Sequence, residues 1–441
     1  MTDLTLLRPL RIATLAVSVL FLAGCGLFDD DEDRLEGERI KLRLQDNVDQ
    51  ASETIRQPLP VPQPLQNWTQ TNGRANHNSG NIAGPVSLTT AWRADAGQGN
   101  SDDSWITSPP ISVGGVVFTL DAAAEIRAFD GSTGAERWRT ELAPEGEDGE
   151  EGFGGGLAIE GNRMFAATGF GEVLALDLNS GEILWRQRFN APFRAPPAVA
   201  NNLVVAVTRD NQSFALSTGD GQVIWRHQGI TSEAGLLGGA SPAMAGGLAL
   251  LPYSSGELLG VDIRSGNPVW SAVMSGGRRG LARASITDLS GDPVIAGPLV
   301  VTANQSGRLV ALDGRSGSRV WTRGIGAIRP PWPVGETLFL MSDLAELIRL
   351  DLRGGVILWR TQLPEWEDEE DEEDPITYSG PILVGGQALV TDSLGNLWSF
   401  DGETGEGEVI AEIPGGSRTG AISAGGTVYV LGDDGDLIAL R

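Results

Sequence analysis

Catalysis needs nucleophiles, general bases or metal ligands, and this chain is poorly supplied with the usual ones. Its 441 residues include two histidines, His77 and His227, and one cysteine, Cys25. Two histidines so far apart exclude a His-Glu-x-x-His zinc motif. A single Cys excludes a four-thiolate metal site and an internal disulfide framework. No Gly-x-Ser-x-Gly elbow is present to carry a nucleophilic serine. The run Gly152-Phe153-Gly154-Gly155-Gly156 precedes a strand pattern instead of a helix, so it does not read as a phosphate loop. His77 lies in a polar, Asn-rich stretch and His227 follows a Trp strand. Both read as surface or hydrogen-bonding side chains. No catalytic residue, metal ligand or cofactor site is expected.

The acidic residues offer little more. The net charge is −26, and three short runs hold most of it: 29–38 carries −6, 145–151 carries −5 and 365–374 carries −9. Such blocks repel themselves and read as solvated loops. They lack the alternating ligand spacing and turn glycine of a calcium loop. An acidic surface also excludes nucleic acid as a partner.

Cys25 does have a chemistry. Arg8 and Arg11 precede an apolar stretch, 12–23, that is too short to span a bilayer and suits a secretory signal. It closes in Leu22-Ala23-Gly24-Cys25, which resembles the bacterial lipobox. There the thiol receives a diacylglyceryl group, and the signal, residues 1–24, is removed. Gly26 in place of an acidic residue implies onward transport to the outer membrane. Residues 25–85, with the first acidic run and Pro58, Pro60, Pro62 and Pro64, read as an extended, lipid-anchored tether.

The elements that must position anything else come from a repeat. The unit Gly-x-Leu-x-Ala-Leu-Asp-x-x-Ser/Thr-Gly-x-x-x-Trp recurs from 125 to 435, seven steps of about 44 residues. That is the period of a four-stranded propeller blade. Alternating Leu-x-Ala-Leu makes a half-buried strand, and Asp…Gly closes a hairpin. The fold expected over 86–441 is therefore all-β: an eight-bladed β-propeller of four-stranded antiparallel blades. The last unit lacks its Trp strand, while an unattached one, 90–94, precedes the first unit. Pairing the two closes the ring and removes its free edges. Trp92, Trp138, Trp185, Trp225, Trp270, Trp321 and Trp359 then wedge between blades, and Val409 is the exception.

The units resemble the PQQ-type repeat of bacterial eight-bladed propellers. Together with the lipobox and the absence of another domain, the chain resembles the BamB family, propeller lipoproteins of the outer-membrane β-barrel assembly machinery. The resemblance implies a non-enzymatic scaffold, acylated at Cys25 and held at the periplasmic face of the outer membrane. It would bind a POTRA domain of BamA, join the other Bam components and help present unfolded outer-membrane proteins. In the family the BamA contact uses loops between the third and fifth blades, which match 232–239 and 278–292 here. Leu236 and Leu237 fall on its apolar position, although the basic residue expected beside them is missing. Asp288 falls on its first acidic position. Ser290 occupies the second, with Asp292 nearby, and both acids are expected in loops. The region around Asn67–His77 resembles family variants with a long N-terminal extension. Quinoprotein dehydrogenases share the repeat but use a vicinal Cys pair that this chain lacks. A periplasmic propeller holding a small ligand in its channel stays open as the alternative.

Overall fold

Each repeat folds as its alternating pattern dictates, and the computed structural model describes residues 57–232, 238–274 and 288–441. Blade 1 comprises Ile111–Val113, Val116–Leu120, Glu125–Asp130 and Glu136–Glu141, paired in sequence order and antiparallel throughout. Six further four-stranded blades follow, their innermost strands beginning at Gly155, Ala198, Ala243, Leu289, Trp332 and Tyr378. The three inner strands of each blade hold most of its buried residues, as the sheet-on-sheet packing of a propeller requires. The outermost strands alternate towards solvent, as in Glu136–Glu141.

Blade 8 closes the ring. Ala421–Ala424, Thr427–Leu431 and Asp436–Leu440 supply three strands, and Thr90–Asp95 supplies the fourth, with Trp92 opposite Ala439. Thr89 and Arg441 exchange backbone hydrogen bonds at 2.8 and 2.9 Å. The expected closure is therefore the observed one.

Residues 57–85 depart from expectation. They belong to the folded ring rather than to a tether. From Leu65 to Ile82 the chain makes one circuit of the axis and bonds to every blade in spatial order. Leu65 carbonyl accepts from Gly425 of blade 8, Trp68 exchanges two bonds with Ser112 of blade 1, and Thr69 carbonyl accepts from Ile159 of blade 2. The Gln70 side-chain amide pairs with both backbone groups of Val199 in blade 3. Ala75 and Asn76 carbonyls accept from Met244 of blade 4 and Ile295 of blade 5. Gly80 carbonyl accepts from the Trp332 indole of blade 6 at 2.9 Å, and Asn81–Ile82 adds a short parallel strand to blade 7. Trp68 stacks on Trp332 with centroids 5.9 Å apart. We call this segment the hub. A proline-spaced approach does not prevent docking. Asn81 Nδ2 donates to the Pro60 carbonyl, and Gln57 Nε2 donates to Asp351 at the rim of blade 6.

The run 365–374 also carries more structure than a plain loop. Trp366–Asp368 and Glu373–Pro375 form a small exposed hairpin between blades 6 and 7.

Candidate functional site

The repeated Trp positions come first, because they set the spacing of everything around the ring. Each of the seven lies on an outermost strand and reaches the Asp…Gly turn of the next blade. Trp92 Nε1 donates to the Gly131 carbonyl at 3.1 Å, Trp225 to Ile263 at 3.0 Å, Trp270 to Gly314 at 2.9 Å and Trp321 to Leu352 at 2.9 Å. Trp185 and Trp359 repeat the contact on Thr218 and Gly402. Under each ring, Trp138 included, sits the glycine that ends that turn. At Gly266 and Gly317 φ is +71° and +70°, and an added Cβ would lie 2.6–2.7 Å from Trp225 or Trp270. Glycine is required twice over there, for its backbone angle and for the ring above it. His227 belongs to the same device. It lies 5.7 Å from Trp225, and its Nε2–H donates to the Gly266 carbonyl.

The expected partner-binding residues divide. Cys25, Leu236 and Leu237 lie outside the described residues. Asp288 and Asp292 are described, and neither is in an exposed loop. Asp288 immediately precedes the innermost strand of blade 5, Leu289–Ala296, and Asp292 lies within it. Asp288 is fully buried and takes Arg194 through both guanidinium nitrogens, at 2.5 and 2.9 Å. Arg194 leads into blade 3 and its carbonyl accepts from Gly239 beside blade 4. The ion pair thus ties blades 3 and 5 across blade 4. Nothing local to Asp288 signals a partner 94 residues away.

Asp292 is an internal staple of a second kind. Its oxygens accept from the Ser241 amide of blade 4 at 2.7 Å and from Asn72 Nδ2 of the hub at 3.0 Å. His77 packs nearby with its Nδ1–H on the Pro293 carbonyl at 2.9 Å. Burial pushes the Asp292 carboxyl up and the His77 imidazole down, and attraction between the two offsets part of each shift. A register irregularity in the strand around Gly291–Val294 turns Asp292 toward these groups.

The ring's two faces differ. On one face lie the turns between the first and second strands, beside which the hub docks, and the Asp…Gly turns between the third and fourth. The longer connections between blades leave from the other, among them both acidic stretches within the described residues. The outermost strands of blades 3 and 4, Val223–Gln228 and Pro268–Val273, end toward that second face. Exposed apolar side chains are spread over the outermost strands around the ring: Leu184 in blade 2, Val223 and Ile224 in blade 3, Val269 and Val273 in blade 4, Val320 in blade 5 and Val409 in blade 7. No group of three or more His, Cys, Asp or Glu able to hold a metal occurs among the described residues.

A closed ring of eight repeats, seven of its junctions latched by a Trp on the next blade's turn, defines a PQQ-type β-propeller. The family model described as outer membrane protein assembly factor BamB matches residues 122–361, and the chain belongs to that family. The BamB of Escherichia coli (strain K12) is 27% identical over 438 residues, covering 98% of this chain and 99% of that protein. The BamB of Shewanella oneidensis is 24% identical over 356 residues, covering 79% and 87%. In fold, the chain is similar to the crystal structure of BamB from Moraxella catarrhalis, with a TM-score of 0.66 at 18% identity over 80% of this chain and 99% of that one. A europium-containing methanol dehydrogenase gives the same TM-score at 12% identity over 85% and 98%. The last two likenesses concern the fold alone. The curated relatives are named as assembly factors and not as enzymes.

Proposed function

We propose that this chain is a non-catalytic lipoprotein of outer-membrane protein assembly, anchored through acylated Cys25 at the periplasmic face of the outer membrane. It binds the POTRA region of BamA, works with the other Bam components and presents unfolded outer-membrane proteins for insertion. The observation that carries this reading is correspondence to the assembly factor of E. coli along nearly the whole of both chains. The lone cysteine also denies the fold the vicinal Cys pair of its dehydrogenase relatives.

The partner surface we assign lies at blades 3 to 5, on the stretches 232–239 and 278–292 that match the family's contact loops. Leu236 and Leu237 make contact there. Asp288 and Asp292 serve from within, holding the roots of the adjoining connections through Arg194, Ser241 and Asn72. A rigid ring presenting connections on one face suits a scaffold. The test is capture of BamA by the detergent-solubilised full chain. Leu236→Asp should weaken capture about a hundredfold, the cost of losing an apolar anchor, with an unchanged melting curve. Wild-type yield from a folded Leu236→Asp protein sinks the surface. Loss of the chain from washed membranes on Cys25→Ser supports the anchor, and retention refutes it.

A further inference from the structure

At the end of the axis away from the Asp…Gly turns, blades 6, 7, 8 and 1 surround an open cavity. Its walls are largely apolar, with Pro109, Pro330, Pro381 and Ile382 among them, and the hub contributes Trp68 and Asn72. One cation lines it. Arg329 donates through Nε to Ser379 Oγ at 3.0 Å and through Nη2 to the Arg418 carbonyl. Its Nη1 has no acceptor among the described residues, and no described carboxylate reaches it at ion-pair distance. Asp292 and Asp433 attract it only from further off. Both are already engaged, Asp292 by Ser241 and Asn72, and Asp433 by the amide and side chain of Arg418.

Two more donors share this lining without an acceptor. The Trp68 indole N–H is buried in a side chain 1% exposed, and the Thr419 hydroxyl is buried too. Neither has a hydrogen-bond partner. A half-buried cation and two buried, unanswered donors around one space leave a site rich in donors and short of acceptors. Desolvation, which lowers the Arg329 pKa, is the same imbalance seen from the cation's side. An anion resolves it, since charge-assisted bonds to one acceptor group satisfy all three. The apolar walls favour an anion with a small hydrocarbon stem over a strongly hydrated inorganic ion.

We propose that the axial cavity is a binding site for a small carboxylate, held by Arg329 Nη1, Trp68 Nε1 and Thr419 Oγ1. The site lies beyond the partner-binding reading above and stands or falls without it.

The test uses the full lipidated chain in detergent, titrated with propionate at constant pH and ionic strength and followed by thermal melting and tryptophan fluorescence. Wild type should show a saturable rise in melting temperature. Thr419→Val, which removes one donor and keeps its shape, should weaken binding about fivefold. Arg329→Gln should abolish saturation. If Arg329→Gln does not fold, Thr419→Val alone decides. No saturable response in wild type overturns the proposal, as does a response unchanged in Thr419→Val. Equal or tighter binding of chloride or sulfate overturns the carboxylate assignment.

Discussion

Seven of the eight blade junctions are latched by a Trp, and the junction between blades 7 and 8 is not. In the seven, an indole lies flat on a turn glycine, and in six of them it also donates to a carbonyl of that turn. At the eighth, Val409 stands where the Trp would be, and blade 8 has no such turn to receive one. Its third strand, Asp436–Leu440, and its fourth, Thr90–Asp95, are not consecutive in sequence. The Trp and its seat are therefore one unit divided between neighbouring blades, and where the seat is missing the Trp is missing too. In blade 7 a tryptophan lies instead on the third strand. Trp398 is opposite Val409 and donates to Asp392 at 2.8 Å. The chain leaving the hub covers this junction, with Gly84 against Val384 and Ser423.

The contrast can be broken from the strong side first. Trp270→Ala removes ring and donor together and should cost about 3–5 kcal/mol in urea unfolding, the range for emptying a large aromatic site. Val409→Ala at the unlatched junction should cost about 1 kcal/mol or less. Gly317→Ala leaves the Trp in place but drives a Cβ into its ring at positive φ. The expected loss is about 2–3 kcal/mol, and a smaller one would mean that the turn can shift away from the indole.

Acid sharpens the comparison further. The carboxyls of Asp130, Asp177, Asp262 and Asp313 are held below their usual range, chiefly by hydrogen bonds from Ser132, Ser180, Ser265 and Ser316 in their own turns. A depressed folded value means that the stabilisation is complete above about pH 4 and is lost as pH falls through the folded pKa. Asp313→Asn should flatten the acid side of the stability profile, and an unchanged slope refutes the turn's part in it. The smallest effect is expected from Val409→Trp. With no turn to sit on, the new indole should change stability by less than about 0.5 kcal/mol. A gain as large as the loss in Trp270→Ala would show that the seat is dispensable.

What was legible in the sequence follows from this arrangement. The latch recurs once per blade, so Trp, Asp and Gly stand at fixed offsets about 44 residues apart, and the ring and its closure could be read from them. The hub could not. It meets eight blades within eighteen residues, through carbonyls, a Gln70 side chain and a Trp pair, and none of these leaves a periodic trace. The misplacement of Asp288 and Asp292 has a related cause. An acid at the end of a connection looks solvent-exposed until its partner is known, and Arg194 and Asn72 lie 94 and 220 residues away. Leu236 and Leu237 could be placed between blades 3 and 4, but only by resemblance could they be given a partner.

Stacked repeats ordinarily touch only their neighbours, so that such a chain can fold outward from any point. The hub cancels that freedom. It precedes every blade along the chain, yet its first anchor in the ring, Gly425, belongs to the eighth. The segment must stay unsatisfied until all eight blades exist, and can settle only on a ring already nearly round. Once seated, it makes the loss of any single blade a loss felt by all eight, so the molecule should open as one cooperative unit and not peel blade by blade.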